Sequence, residues 1–177
     1  MDEPRGKVVV NRSMSLDGFV AGPGDDMSWV HGYFRDDPFP EVAAATGAML
    51  VGRRTHDVAR AMSPEDTAYD GGPVFVLTHR VPDDPQAGVT YLTDDLPDAL
   101  QTVRAAAGGK DVEVLGADLA AQCLRQGLVD EVLVYLLPVL LGDGVRFSPP
   151  GAARVELEPF HVSQEGPVTL LRFRVRR

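Results

Sequence analysis

A single cysteine, Cys123, stands in a chain of 177 residues. That excludes an intrachain disulfide and any zinc site built from several cysteines. Its setting, Ala-Ala-Gln-Cys-Leu-Arg, suits a small buried helix residue better than a nucleophile. Positive charge is also scarce: 17 Lys+Arg against 26 Asp+Glu give a formal charge of −9. Phosphate backbones attract net positive surfaces, so a general nucleic-acid-binding role is disfavoured. A local anion site remains possible, because a few arginines and a helix N-terminus suffice for one. No apolar run reaches the roughly 20 residues that span a bilayer, so no membrane partner is expected. The N-terminus, Met1 to Lys7, lacks the apolar core of a signal peptide, which leaves a cytoplasmic location as the expectation. The Gly-x-Gly-x-x-Gly of a Rossmann fold is missing, as is the His-x-Glu with Pro-Cys-x-x-Cys of a zinc deaminase. No metal site is expected. Neither repeats nor low-complexity linkers interrupt the chain, so residues 1–177 are read as one domain.

What is present is ordinary in bulk, at 44% hydrophobic and 24% charged, and informative in order. Short apolar runs of strand length occur at 7–11, 48–51, 73–78, 89–92, 111–115 and 132–139. Between them lie stretches with helical patterning. A mixed helical region runs from Trp29 to about Thr46, with a break near Pro38 and Pro40. A short helix follows Gly52 and ends near Met62, and Ser63 to Gly72 reads as a loop. A helix over 97–107 is capped by Asp94 or Asp95. Another over 118–126 carries Leu119, Cys123 and Leu124 on one face. The last part alternates as Val155, Leu157, then Leu171, Phe173, Val175, which suggests an antiparallel hairpin. The result is an α/β fold with a mostly parallel sheet and an antiparallel edge.

Four segments invite chemistry. Gly52-Arg53-Arg54-Thr55 joins a strand to a helix, where free N–H groups and two guanidinium groups suit an anion, and Thr55 can cap the helix. Leu77-Thr78-His79-Arg80 ends the next strand, and on its own reads equally as a solvated strand end. Leu115-Gly116-Ala117-Asp118-Leu119 is a second strand-to-helix turn with a small residue at the junction, and Asp118 is expected to cap its helix and point away from any phosphate. Ser15-Leu16-Asp17-Gly18-Phe19-Val20-Ala21, followed by Gly22-Pro23-Gly24, reads as a turn and a flexible segment.

These segments occur together with Gly127-Leu128-Val129-Asp130-Glu131, an apolar strand, and Pro138-Val139-Leu140-Leu141-Gly142-Asp143-Gly144. In that order they resemble the reductase domain of riboflavin biosynthesis within the dihydrofolate reductase-like superfamily, over nearly the whole chain. The resemblance implies a dihydrofolate reductase-like fold and an NADPH-dependent oxidoreductase acting on a small pterin-like or pyrimidine-like heterocycle. Gly52, Arg53, Arg54 and Thr55 would then grip the cofactor. Leu77, Thr78, His79 and Arg80 would cradle adenine and the 2′-phosphate, and Gly116, Ala117, Asp118 and Leu119 would meet the pyrophosphate. That family often has Gly-Gly joined by a cis peptide where this chain has Gly116-Ala117.

Gly18 and Ala21 would border the nicotinamide, under a flap that starts at Ala21. Asp17 would be the catalytic acid and a substrate ligand, with a raised pKa, and Trp29 is either a core residue or a wall of the substrate pocket. Phe19 stands where riboflavin-pathway reductases tend to have Lys or Arg, which favours stand-alone relatives of unassigned substrate. A non-catalytic nucleotide- or heterocycle-binding protein and a riboflavin-pathway 5-amino-6-ribosylaminouracil phosphate reductase are the alternatives. Relatives commonly pair through the strand 132–137 and the terminal hairpin, so a homodimer is expected.

Overall fold

The computed structural model describes residues 6–34, 39–63 and 72–176. The expected loop at 63–72 and the break at Pro38 fall largely outside them, as do Met1 to Arg5. Ten strands and four α-helices follow one another as β1 (Val8–Ser15), β2 (Phe19–Ala21), α1 (Pro40–Ala45), β3 (Thr46–Gly52), α2 (Arg53–Met62), β4 (Val74–Leu77), β5 (Val89–Leu92), α3 (Leu96–Ala106), β6 (Asp111–Leu115), α4 (Ala117–Arg125), β7 (Glu131–Leu137), β8 (Val145–Arg146), β9 (Leu157–Glu165) and β10 (Val168–Val175).

Eight of the strands form one sheet in the order β5-β4-β3-β6-β1-β7-β10-β9. From β5 to β7 all neighbours are parallel, and β10 and β9 add antiparallel at one edge. The expected fold class is therefore observed. Parallel strands need both faces covered, which is why β1 is apolar on both sides. Val8 and Val10 join Leu50, Val112 and Val114 beneath Val103 of α3 and Cys123 of α4. Val9 faces the other way and packs with Phe39, Val42, Leu133 and Leu170. Leu50 is fully buried, and its truncation to alanine would cost about 2–5 kcal/mol. Cys123 lies in the first core, where burial pushes its thiol up to about 12 and leaves it inert.

Local chemistry sets the element ends. Asp95 caps α3 by accepting from the Asp98 N–H at 3.1 Å. Gly127, at φ 67°, ends the α4 segment in a conformation that favours glycine. Glu131, almost fully buried at the start of β7, is held by Lys7 and by Arg172 of β10. Without both cations a buried carboxylate there would be costly.

The mixed helical region expected from Trp29 to about Thr46 is, among the described residues, a 3₁₀ turn at Ser28–Val30 and the six-residue α1. One expectation is corrected: the first strand extends to Ser15, well past Asn11. The pair β2–β8 forms a separate two-stranded sheet from segments too short to announce a strand.

Candidate functional site

A cleft of about 1290 Å³ opens at the C-terminal ends of the parallel strands. Its position follows from topology. The chain moves outward from β1 through β3, β4 and β5, returns to insert β6, and then adds β7 on the far edge of β1. Crevices of open α/β sheets lie where the order reverses in this way. The walls reach from Thr93, after β5, to Tyr135 of β7. That is five inter-strand steps, or about 24 Å at roughly 4.8 Å each. Both length and volume exceed what one compact ligand fills, since single-ligand pockets are about 300–1,000 Å³.

Two strand-to-helix turns meet in the middle of this cleft. Gly52 precedes α2 and Gly116 precedes α4, and neither helix has a side-chain cap. Their first N–H groups are therefore left for solvent or an anion. Gly116 has φ 117°, and a Cβ there would stand 3.1 Å from Thr55 Oγ1 and 3.4 Å from the Gly52 backbone. Only glycine allows both the dihedral and the approach. Two expectations change here. Thr55 does not cap α2; its hydroxyl faces Gly116 instead. Asp118 does not cap α4, where Gly116 holds the cap position, and it lines the cleft rather than pointing away. No peptide among the described residues is cis, so Gly116–Ala117 is trans.

The arginines of this turn line the cleft, yet each has an internal partner. Arg53 Nε donates to both Asp57 oxygens at 2.8 and 2.9 Å, and its Nη1 reaches the Arg80 carbonyl at 3.4 Å. Arg54 makes a two-pronged pair with Asp25, at 2.8 and 2.7 Å. The bond to Asp25 holds the Arg54 guanidinium above its usual pKa, with Asp118 adding a smaller attraction. Asp25 belongs to the segment after Ala21, so this pair ties the expected flap to α2 across the cleft. A phosphate at either arginine must compete with a carboxylate already in place. Leu77, Thr78, His79, Arg80, Ala117, Leu119 and Ala21 also lie on the wall.

The Ser15-Leu16-Asp17-Gly18 turn behaves differently. Asp17 and Gly18 are not among the residues lining the cleft. Ser15 Oγ donates to Asp17 Oδ1 at 2.6 Å, and the N–H groups of Leu141 and Gly142 donate at 3.1 and 2.8 Å. The Ser15 hydroxyl first, then the Gly142 and Leu141 N–H groups, hold the Asp17 carboxyl down to about 2. The Asp17 carboxyl is thus held below its ordinary pKa rather than raised above it, and it clamps two turns together. Gly18, at φ 89°, makes the turn itself, and its carbonyl accepts from the Phe147 N–H at 2.9 Å. The clamped loop in turn holds the flap, because a Cβ on Gly144 would strike the Ala21 carbonyl at 2.1 Å.

Trp29, partly buried, packs against the second core and is absent from the cleft wall. Phe19 is buried under the Arg146 guanidinium, 4.8 Å from its ring centroid, and does not line the cleft either.

Sequence reasoning passed over the floor of the cleft. Asn11, Arg12 and Ser13 of β1 and Tyr135 of β7 line it. Asn11 and Arg12 are each 8% exposed. Arg12 donates to the carbonyls of Asn11 and Val114, and desolvation lowers its pKa to about 10 despite Glu113. Near Asn11 lies Glu113 of β6, 5% exposed, whose Oε1 is 2.6 Å from Thr46 Oγ1. Burial raises the Glu113 pKa above its usual value, against the pull of that hydrogen bond. The available signal was a Val-Val-Val strand that turns polar at Asn11 while still central.

Comparison with known proteins agrees with this architecture. The RibD C-terminal domain family model matches residues 6–171. An uncharacterised protein of Bacillus subtilis strain 168 is 21% identical over 141 residues, covering 78% of this chain and 80% of its own. A Shewanella sp. PV-4 protein, provisionally assigned to riboflavin biosynthesis, superposes with a TM-score of 0.82 at 23% identity, covering 97% of this chain and 99% of that one. Dihydrofolate reductase of Enterococcus faecalis, solved with NADP(H), superposes at 0.65 and 13% identity, with 98% of each chain covered. The matching family model and these superpositions lead to one conclusion: this chain belongs to the RibD C-terminal domain family, on a dihydrofolate reductase-like fold.

Proposed function

We propose that the protein is an NADPH-dependent reductase that transfers a hydride to a small pterin-like or pyrimidine-like heterocycle. The observation that carries this reading is the meeting of two uncapped helix N-termini, at Gly52 and Gly116, halfway along a cleft that spans six strands. A dinucleotide laid along that cleft puts its pyrophosphate where the N–H groups converge. Its adenosine then falls toward Thr78, His79 and Arg80, and its nicotinamide toward Asn11, Ser13 and Tyr135. The enterococcal relative, solved with NADP(H), supports the choice of cofactor. Bound there, the nicotinamide supplies the hydride. This chain's residues orient the two rings, and Ala21 with its flap excludes water. Asp17 is held ionised and lies outside the cleft lining, so the proton is taken from solvent, with Asp17 kept as the alternative donor.

Calorimetric titration tests the reading: NADPH binds more tightly than NADH, and failure of both to bind would overturn it. Equal affinities would remove His79 and Arg80 as 2′-phosphate ligands. Arg53→Ala should weaken NADPH by about 1.5 kcal/mol, the low end for a charged hydrogen bond, because Arg53 must give up Asp57 to make one. The riboflavin-pathway reductase remains the second reading, with Phe19 arguing against it although its side chain does not line the cleft. Turnover of 5-amino-6-ribosylaminouracil phosphate would decide for it.

The same reading includes a homodimer. Strand β7 spends its apolar surface inside the sheet, but Leu157 and Val162 of the edge strand β9 are 37% and 63% exposed. Light scattering at micromolar concentration should give about twice the 19.1 kDa chain mass; the single-chain mass rejects the dimer.

A further inference from the structure

We infer that Asp25 is a built-in competitor of the ligand's phosphates: its carboxylate occupies Arg54 in the free protein, and an anion that takes Arg54 frees the flap. The inference rests on the proposed reductase reading and adds a control element to the same cleft.

The first turn of α2 is unusual in its charge. Helix N-termini favour acids, because their free N–H groups carry partial positive charge. Helix α2 begins instead with Arg53 and Arg54, with no acid in its first turn and no side-chain cap. Each guanidinium receives a carboxylate from further away. Asp57, four residues on, serves Arg53. Arg54 is met by Asp25, 29 residues earlier in the chain and part of the flap.

This second contact is two-pronged. Arg54 Nε donates to Asp25 Oδ2 at 2.8 Å, and Nη2 donates to Oδ1 at 2.7 Å. A phosphate would use the same two donors in the same fork. Both residues line the cleft, so ligand and flap compete for one group. The Arg54 side chain is 71% exposed, so an incoming anion reaches it while Asp25 is still bound. Ion pairs open to water in this way are weak enough to exchange.

The flap backbone carries an independent mark of the same contact. Asp25 has φ 64° and is the one non-glycine residue at positive φ among the described residues. Gly24 before it stands at 69°. Side chains are strained in that region, and such strain persists where the surroundings hold it. Arg54 is what holds the Asp25 side chain. The base of the flap is tied separately. The Gly22 N–H donates to the Asp26 carbonyl at 2.8 Å, and the Ser28 N–H donates to Asp26 Oδ1 at 2.9 Å. Loss of Arg54 therefore relaxes the segment 23–25 on a base that stays in place.

The test uses the full chain and inorganic pyrophosphate, followed by calorimetry and by fluorescence. Trp29, the single tryptophan of the chain, follows Asp25 by four residues, so its emission reports on the flap. Saturating pyrophosphate should shift that emission in the parent protein. Asp25→Asn should show the shifted emission without pyrophosphate and bind pyrophosphate about fivefold more tightly, the scale of an exposed ion pair. In an Arg54→Gln background the gain from Asp25→Asn should vanish, which a bulk charge effect would not produce. Asp25→Gly removes the carboxylate and adopts φ 64° without strain, so it should match Asp25→Asn and decides alone if that variant fails to fold. Trp29 emission that ignores saturating pyrophosphate, Asp25→Asn protein that binds it no better than the parent, or an equal gain with Arg54→Gln would each overturn the inference. NADPH titrated alongside separates the two readings: protein that shows the pyrophosphate exchange but ignores NADPH strikes the reductase reading alone.

Discussion

Two carboxylates separate the turn at the end of β1 from the middle of β6. Asp17 sits in the conspicuous Ser-Leu-Asp-Gly motif, and Glu113 sits in an unremarkable strand. The turn exposes its carboxylate to N–H and O–H donors, which hold the Asp17 pKa down to about 2. The strand hides its carboxylate from water, which moves the Glu113 pKa upward. Hydrogen bonding to the charged form won in one place and desolvation in the other. The same residue type is thus shifted in opposite directions by its surroundings.

The sharpest way to break this comparison is Glu113→Leu. It removes one of the two hydrogen-bond partners of the buried Thr46 hydroxyl, at about 1–3 kcal/mol, so stability should fall by about that much in urea unfolding. A loss below 1 kcal/mol would mean that Glu113 supports nothing.

Next comes the pH dependence, where the two sites should act with opposite sign. The Asp17 pKa is lowered on folding, so its contribution is complete above its ordinary 3.8 and lost as pH falls through about 2. Glu113 has a raised pKa, so its contribution is complete below its ordinary 4.5 and lost as pH rises through the folded value. Asp111 on the same strand pushes that value further up, while Arg12 on β1 and the Thr46 and Asn11 hydrogen bonds restrain it. Thermal melting from pH 2 to 9 should lose the acid-side slope in Asp17→Asn and the slope above pH 4.5 in Glu113→Gln. Slopes unchanged in both variants would dissolve the contrast.

A smaller effect is expected on turnover in Asp17→Asn. Asparagine cannot accept from both Leu141 and Gly142 as the carboxylate does, so the melting temperature should drop. Turnover of the substrate should stay within about threefold, far from the 10²-fold or greater loss of a general acid. A folded, NADPH-binding Asp17→Asn protein with turnover reduced a hundredfold would restore the acid role. The smallest effect belongs to Glu113→Gln at pH 5, which should lie within about 0.5 kcal/mol of the parent because the amide reproduces the neutral acid's bonds.

Much of the sheet was legible because periodicity and strand length are local properties. The strands at 89–92 and 111–115 and the Asp95 cap follow from residues within one turn or one pleat of each other. The glycine turns at Gly52 and Gly116 were legible as turns, since strand-to-helix junctions declare themselves by composition. Their contact was not, because 64 residues of chain separate Gly52 from Gly116. The β2–β8 pair was missed for the same reason: three residues and two carry no periodic signal, and only the clamp of Asp17 on Leu141 and Gly142 brings them together.

By itself, then, the sequence determined the succession of elements, the family and many of the residues along the cleft wall, because each rests on local pattern or on ordered motifs. Tertiary structure alone decided which side chains face the cleft and in which direction each acid is shifted. Those outcomes depend on burial and on partners from distant segments: Thr46 for Glu113, Leu141 and Gly142 for Asp17, and Asp25 for Arg54. Solvation and hydrogen bonding across distant segments are properties of the packed fold, and no window of sequence contains them.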